Sequence, residues 1–127
     1  MIIGFDYWQV ISHYPEQMGM LRVAIETCIG DFHVISAIGK NRVGTVADEI
    51  QKLHGWEKFP KTSVHEVVFK SPKDSPELKL SKCKELGIEM FFDDRDDVCK
   101  LLNKNGILAM RVTRKDNSTY DLEAEQK

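Results

Sequence analysis

Apolar residues fall into five short runs, separated by four stretches in which apolar positions recur every three or four residues. The runs occupy residues 2–5, 32–38, 64–69, 89–92 and 107–112 and predict strands. Val34, Ile35, Val67, Val68, Phe91 and Phe92 make them nearly continuous rather than alternating, as strands covered on both faces require. The first predicted helix starts at Pro15, whose fixed φ suits a first helical position. It carries Met18, Leu21, Ile25 and Cys28 on one face and stops at Gly30. A second helix takes Val43 or Thr45 to Leu53, with Val46, Ile50 and Leu53 inward and His54-Gly55 closing it. The third opens with Ser75 as N-cap and Pro76 as first helical residue, and ends at Leu86-Gly87. The fourth covers residues 96–103, with Val98, Leu101 and Leu102 apolar and Asn105-Gly106 as terminator. Such alternation predicts one α/β domain over residues 1–113. Residues 114–127 are polar and acidic without an apolar face, and a frayed tail is expected there.

Right-handed crossovers leave few ways to order five parallel strands. The order 3-2-1-4-5 gives a three-layer, Rossmann-like sheet with helices on both faces. Strands 1 and 4 become neighbours, and a crevice opens at their carboxyl ends where the winding reverses. The first run ends there in Asp6 and the fourth in Asp93-Asp94. Clustered carboxylates repel unless a cation or proton intervenes, and an oxygen-lined site suits Mg²⁺. The competing reading of Asp93 and Asp94 is a turn with a helix-starting charge, which Asp96-Asp97 already supply.

Composition narrows the function classes. With 127 residues, 42% of them apolar and 30% charged, the chain reads as one globular domain. A net charge of −2 leaves no overall electrostatic footprint for nucleic acid, although a local basic patch stays open. No apolar run approaches a membrane span and no signal peptide is evident, so a cytoplasmic location without a membrane partner is expected. Cys28, Cys83 and Cys99 suggest neither a disulfide framework nor a zinc site, and buried free thiols are expected. His33, His54 and His65 give no metal spacing. The segment from Gly39 to Thr45 lacks the lysine that a phosphate loop places after its second glycine, though Arg42 in it could touch a substrate.

Four segments in order carry a resemblance. They are Ile3-Gly4-Phe5-Asp6-Tyr7-Trp8-Gln9-Val10, Phe32-His33-Val34-Ile35-Ser36, Lys79 with the following Leu-Ser-Lys-Cys-Lys-Glu-Leu-Gly-Ile, and Glu89-Met90-Phe91-Phe92-Asp93-Asp94. Together they resemble the four motifs of the haloacid dehalogenase-like hydrolase superfamily, whose members are mostly phosphatases. The resemblance covers the chain from Ile2 to about Val112. It implies a nucleophilic Asp6, phosphoryl contacts from Ser36 and Lys79, and Mg²⁺ held by Asp6, Asp93, the Trp8 backbone carbonyl and, close by, Asp94. The implied substrate is a phosphorylated small molecule or a macromolecular phosphate, met at an open edge that only the substrate or a second subunit could shield. A homo-oligomer therefore stays open.

Trp8 departs from this pattern. The superfamily's phosphatases carry a second aspartate two residues after the nucleophile, which protonates the leaving group and then activates water. An indole has no titratable group in that range. General acid and base catalysis is typically worth about 10²–10⁴-fold, so slow turnover is one expectation and a catalytically weakened, binding or regulatory relative is the other. His13, on the loop leaving the first motif, is a candidate replacement. Ser36 has a second reading as the cap of the loop into the second helix.

Overall fold

The computed structural model describes residues 1–115; of the tail expected over 114–127, residues 116–127 lie outside the described residues. Five strands, β1 (Ile2–Phe5), β2 (Asp31–Gly39), β3 (Val64–Phe69), β4 (Met90–Asp93) and β5 (Leu108–Arg111), form one sheet in the order β3-β2-β1-β4-β5. Every neighbouring pair is parallel, and the order is the one predicted. Helices α1 (Pro15–Cys28) and α2 (Val46–Gln51) lie on one face, α3 (Ser75–Leu86) and α4 (Asp96–Lys104) on the other.

Alternate residues of each strand supply the two cores. Ile3, Phe5, Phe32, Val34 and Ile38 pack with Met18 and Ile25 of α1 and Val46 and Ile50 of α2. Ile35, Val67, Phe91 and Ala109 pack with Leu80 and Cys83 of α3 and Val98, Cys99 and Leu102 of α4. On the first face Phe5 stacks between Phe32 and Phe92, with ring centroids 4.5 Å away on each side. Trp56 is fully buried beside them, and its indole N–H donates to the Pro15 carbonyl at 2.9 Å. This bond fastens the loop after α2 to the start of α1.

Three expectations need correction. Helix α2 has only six residues, because chain on both sides of it turns tightly. Thr45 Oγ1 donates to the Arg42 carbonyl, and the Glu66 carboxylate accepts from the Gly44 and Val46 N–H groups. Ser75 is a buried helical residue rather than the cap of α3, since a single-turn 3₁₀ helix (Pro72–Asp74) precedes it, and Ser71 and Asp74 close that turn as a capping box. Cys28 is exposed at the last turn of α1, whereas Cys83 and Cys99 are buried. Burial pushes both of those thiols up to about 12.

Among the described residues β5 is an edge strand, with no sixth strand to bond its outer backbone groups. At Ala109 they are not bare: its N–H donates to Asn103 Oδ1 at 2.8 Å and its carbonyl accepts from Asn103 Nδ2 at 3.3 Å. The side-chain amide of α4 thus imitates a neighbouring strand for one residue. Among the described residues no helix is long and apolar enough to cross a membrane.

Candidate functional site

The carboxyl ends of β1 and β4 lie side by side, with the Asp6 N–H donating to the Phe92 carbonyl at 2.9 Å. Asp6 therefore leaves the sheet where the winding reverses. Its Oδ1 accepts from the Tyr7 N–H at 2.9 Å and lies 3.1 Å from Lys79 Nζ. Asp93 closes β4, with Oδ2 2.6 Å from the same ammonium and Oδ1 accepting from the Arg95 N–H at 3.0 Å. Asp94 pairs with Arg114, Oδ2 to Nε 2.8 Å, and its backbone carbonyl accepts from Arg111 Nε at 3.2 Å. Asp6, Asp93 and Asp94 each present an oxygen within 4.8 Å of the others. All three are buried, as is Lys79. The structure thus brings Asp6, Lys79, Asp93 and Asp94 together.

Electrostatics in this cluster do not balance. Burial raises the Asp6 carboxyl well above its ordinary value, Asp93 and Asp94 push it further, and Lys79 offsets this only in part. Burial likewise raises Asp93, against the pull of Lys79. For Lys79, burial works against the charged ammonium, but the Asp6 and Asp93 carboxylates outweigh it and hold the amine above an ordinary lysine. Three carboxylates here face two cations, Lys79 between Asp6 and Asp93 and Arg114 on Asp94, so the acids outnumber the cations that pair with them. A set made only of oxygens, with an uncompensated negative charge, fits a hard divalent cation.

Above the cluster opens a cavity of about 740 Å³. Ser36 is buried in its wall, inside β2 and three residues before the strand ends, so it is not the cap of the loop that follows. Trp8 lies on the cavity's rim and is 51% exposed. The chain bulges there: the Ser12 N–H reaches back to the Tyr7 carbonyl across a five-residue turn, with Gln9 at φ 67. Trp8 meets His13 edge to face at 4.9 Å, and His13 Nδ1 is 2.7 Å from Ser12 Oγ. His13 is not among the residues that line the cavity.

Of the cationic rim, sequence reasoning named only Arg42. Lys40, Arg42, Lys70, Arg95 and Arg114 all line the cavity. Each follows the carboxyl end of a strand by one to three residues, and that position is the signal that could have found them. Arg42 pairs with Glu49, Arg95 grips Asp97 through Nε and Nη2, and Arg114 holds Asp94. Lys40 and Lys70 are exposed and have no carboxylate partner among the described residues.

Fold and site together define a doubly wound, Rossmann-like α/β protein with an acidic centre at its switch point. Comparison with family models, curated proteins and solved structures returned no match.

Proposed function

We propose that the chain is a haloacid dehalogenase-like hydrolase that cleaves phosphomonoesters by way of an aspartyl-phosphate on Asp6. The observation that carries this reading is the convergence of three buried carboxylates and one buried lysine at the β1–β4 switch point. Asp6 attacks the phosphorus and expels the alcohol, and water then cleaves the acyl phosphate, so one hard displacement becomes two easier ones. Ser36 and Lys79 meet the equatorial oxygens, where transition-state charge collects. Asp6, Asp93 and the Trp8 backbone carbonyl, with Asp94 close by, would hold Mg²⁺. When bound, that ion neutralises the repulsion between the attacking carboxylate and the phosphate.

The half-exposed Trp8 supports a second reading, in which the acid–base partner is missing and the protein binds phosphate esters with little turnover. One assay separates the two. Phosphate release from a broad panel of phosphomonoesters, dependent on Mg²⁺ and abolished by Asp6→Asn, establishes the enzyme. Negligible release that rises about 10²-fold or more in Trp8→Asp establishes the weakened relative. If neither the unmodified chain nor Trp8→Asp releases phosphate from any of the panel, the hydrolase reading falls.

A further inference from the structure

A tryptophan half in solvent is unusual, since so large an apolar ring ordinarily contributes to a core, as Trp56 does. Trp8 instead meets His13 in a T-shaped contact and lies at the mouth of the cavity, half in solvent. Its indole N–H has no protein partner among the described residues. On the same rim stand Lys40 and Lys70. Gly39 pairs with Phe69 in register, so the two lysines leave adjacent strands at the same level. Gly39 and Phe69 lie five residues beyond Val34, the partner of Phe5, and beyond Val64, the partner of Val34, so at about 3.3 Å per residue the ends of β2 and β3 stand roughly 16 Å further along the strand direction than the end of β1. One phosphoryl group held at Asp6, Ser36 and Lys79 does not span that gap. The two ammonium groups, without a carboxylate partner among the described residues, form a separate cationic wall of the same cavity.

We propose that the site takes a phosphate ester bearing a nucleobase and a second phosphate. The base stacks on Trp8, and Lys40 and Lys70 hold the second phosphate. An aromatic platform beside a cationic track is the arrangement that binds unpaired bases and their backbone without reading sequence. The same chemistry is offered by a free nucleoside bisphosphate and by the phosphorylated end of a single strand. A net charge of −2 over the whole chain conceals this local patch. The inference rests on the phosphoryl site proposed above.

Calorimetric titration of the full chain with Mg²⁺ tests it, using inorganic phosphate, a hexose bisphosphate, thymidine monophosphate, thymidine bisphosphate and a short thymidine oligonucleotide with a terminal phosphate. Both thymidine ligands are expected to bind at least about tenfold tighter than the hexose bisphosphate. Trp8→Ala should erase that preference and Trp8→Phe restore most of it. Lys40→Ser with Lys70→Ser should bring thymidine bisphosphate down to the affinity of thymidine monophosphate. An oligonucleotide that binds tighter than the bisphosphate, with the steeper salt dependence, assigns a strand end; the reverse order assigns a free nucleotide. Equal affinities for the hexose and thymidine bisphosphates, or a preference that survives Trp8→Ala, overturns the proposal while leaving the phosphoryl site in place. Failure of inorganic phosphate to bind overturns both.

Discussion

Lys79 is the residue on which the cluster turns. Its ammonium lies 3.1 Å from Asp6 and 2.6 Å from Asp93, with 2% of the residue exposed. Removing it leaves two buried carboxylates facing each other and a third nearby. Lys79→Met is expected to cost about 3–5 kcal/mol, the usual penalty for orphaning a buried charge, read as a lower midpoint in urea denaturation. The penalty should shrink as pH falls, because protonated aspartates no longer need the ammonium. A loss below about 1 kcal/mol at neutral pH would mean that Lys79 is not the counter-ion of this site. Asp6 and Asp93 were legible in the sequence because an apolar run that ends in a carboxylate marks a strand end. The pairing of Lys79 with both was not, since it depends on how α3 is rotated against the sheet. Neither was the exposure of Trp8, which follows from the bulge at Gln9, a residue type that gives no warning of positive φ.

At the scale of elements, the strands were the most readable part, because burial on both faces writes a continuous apolar run. β1 and β3 have the bounds predicted, and the boundaries of the other three strands move by a residue. Helix α1 was equally plain from Pro15 and its apolar face, while α2 was overread because its flanks are tight turns that share its polar composition. Gly4 shows what a strand pattern hides. A Cβ there would lie 2.7 Å from Phe91 Cδ1 and 3.3 Å from Ile88 Cδ1, so the absence of a side chain in β1 makes room for the aromatic ring of β4. Gly4→Ala is expected to destabilise by about 1–3 kcal/mol through overpacking, visible as a lower Tm. An unchanged Tm would show that the Phe91 ring can move aside at no cost. Because Asp6 is two residues further along the chain, just past the end of β1, the variant should also weaken whatever binds at the site.

For the whole molecule, the unbalanced charge links folding to pH and to metal. Asp6 and Asp93 both stand above the ordinary aspartate value of 3.8 through burial. In the window that opens near 3.8 and extends upward, the folded chain holds more protons than the unfolded chain. Stability contributed by these two groups is therefore complete below the window and lost as pH rises through it. Lys79 remains charged throughout. A cation that binds the same oxygens displaces those protons, so Mg²⁺ should raise Tm more at neutral than at acidic pH and release protons on binding. At a concentration a hundred times its Kd, the ion should add about 2.7 kcal/mol. Thermal melts with and without Mg²⁺ across pH check this, and a shift that is absent, or that does not grow with pH, would remove the metal from the proposed chemistry.

The bracing of Ala109 by Asn103 bears on how the protein behaves in a crowded tube. An open sheet has two borders where another chain can add itself, and concentrated stocks of such proteins tend to thicken into oligomers and then precipitate. On the β5 side, one carboxamide occupies the bonding groups at the middle of a four-residue strand and so interrupts any intruder's ladder. Asn103→Ala should leave the fold intact yet shorten shelf life, with light scattering rising sooner and at lower concentration than for the parent chain. A variant that stays as clear as the parent would shift the duty of keeping molecules apart to charge repulsion alone.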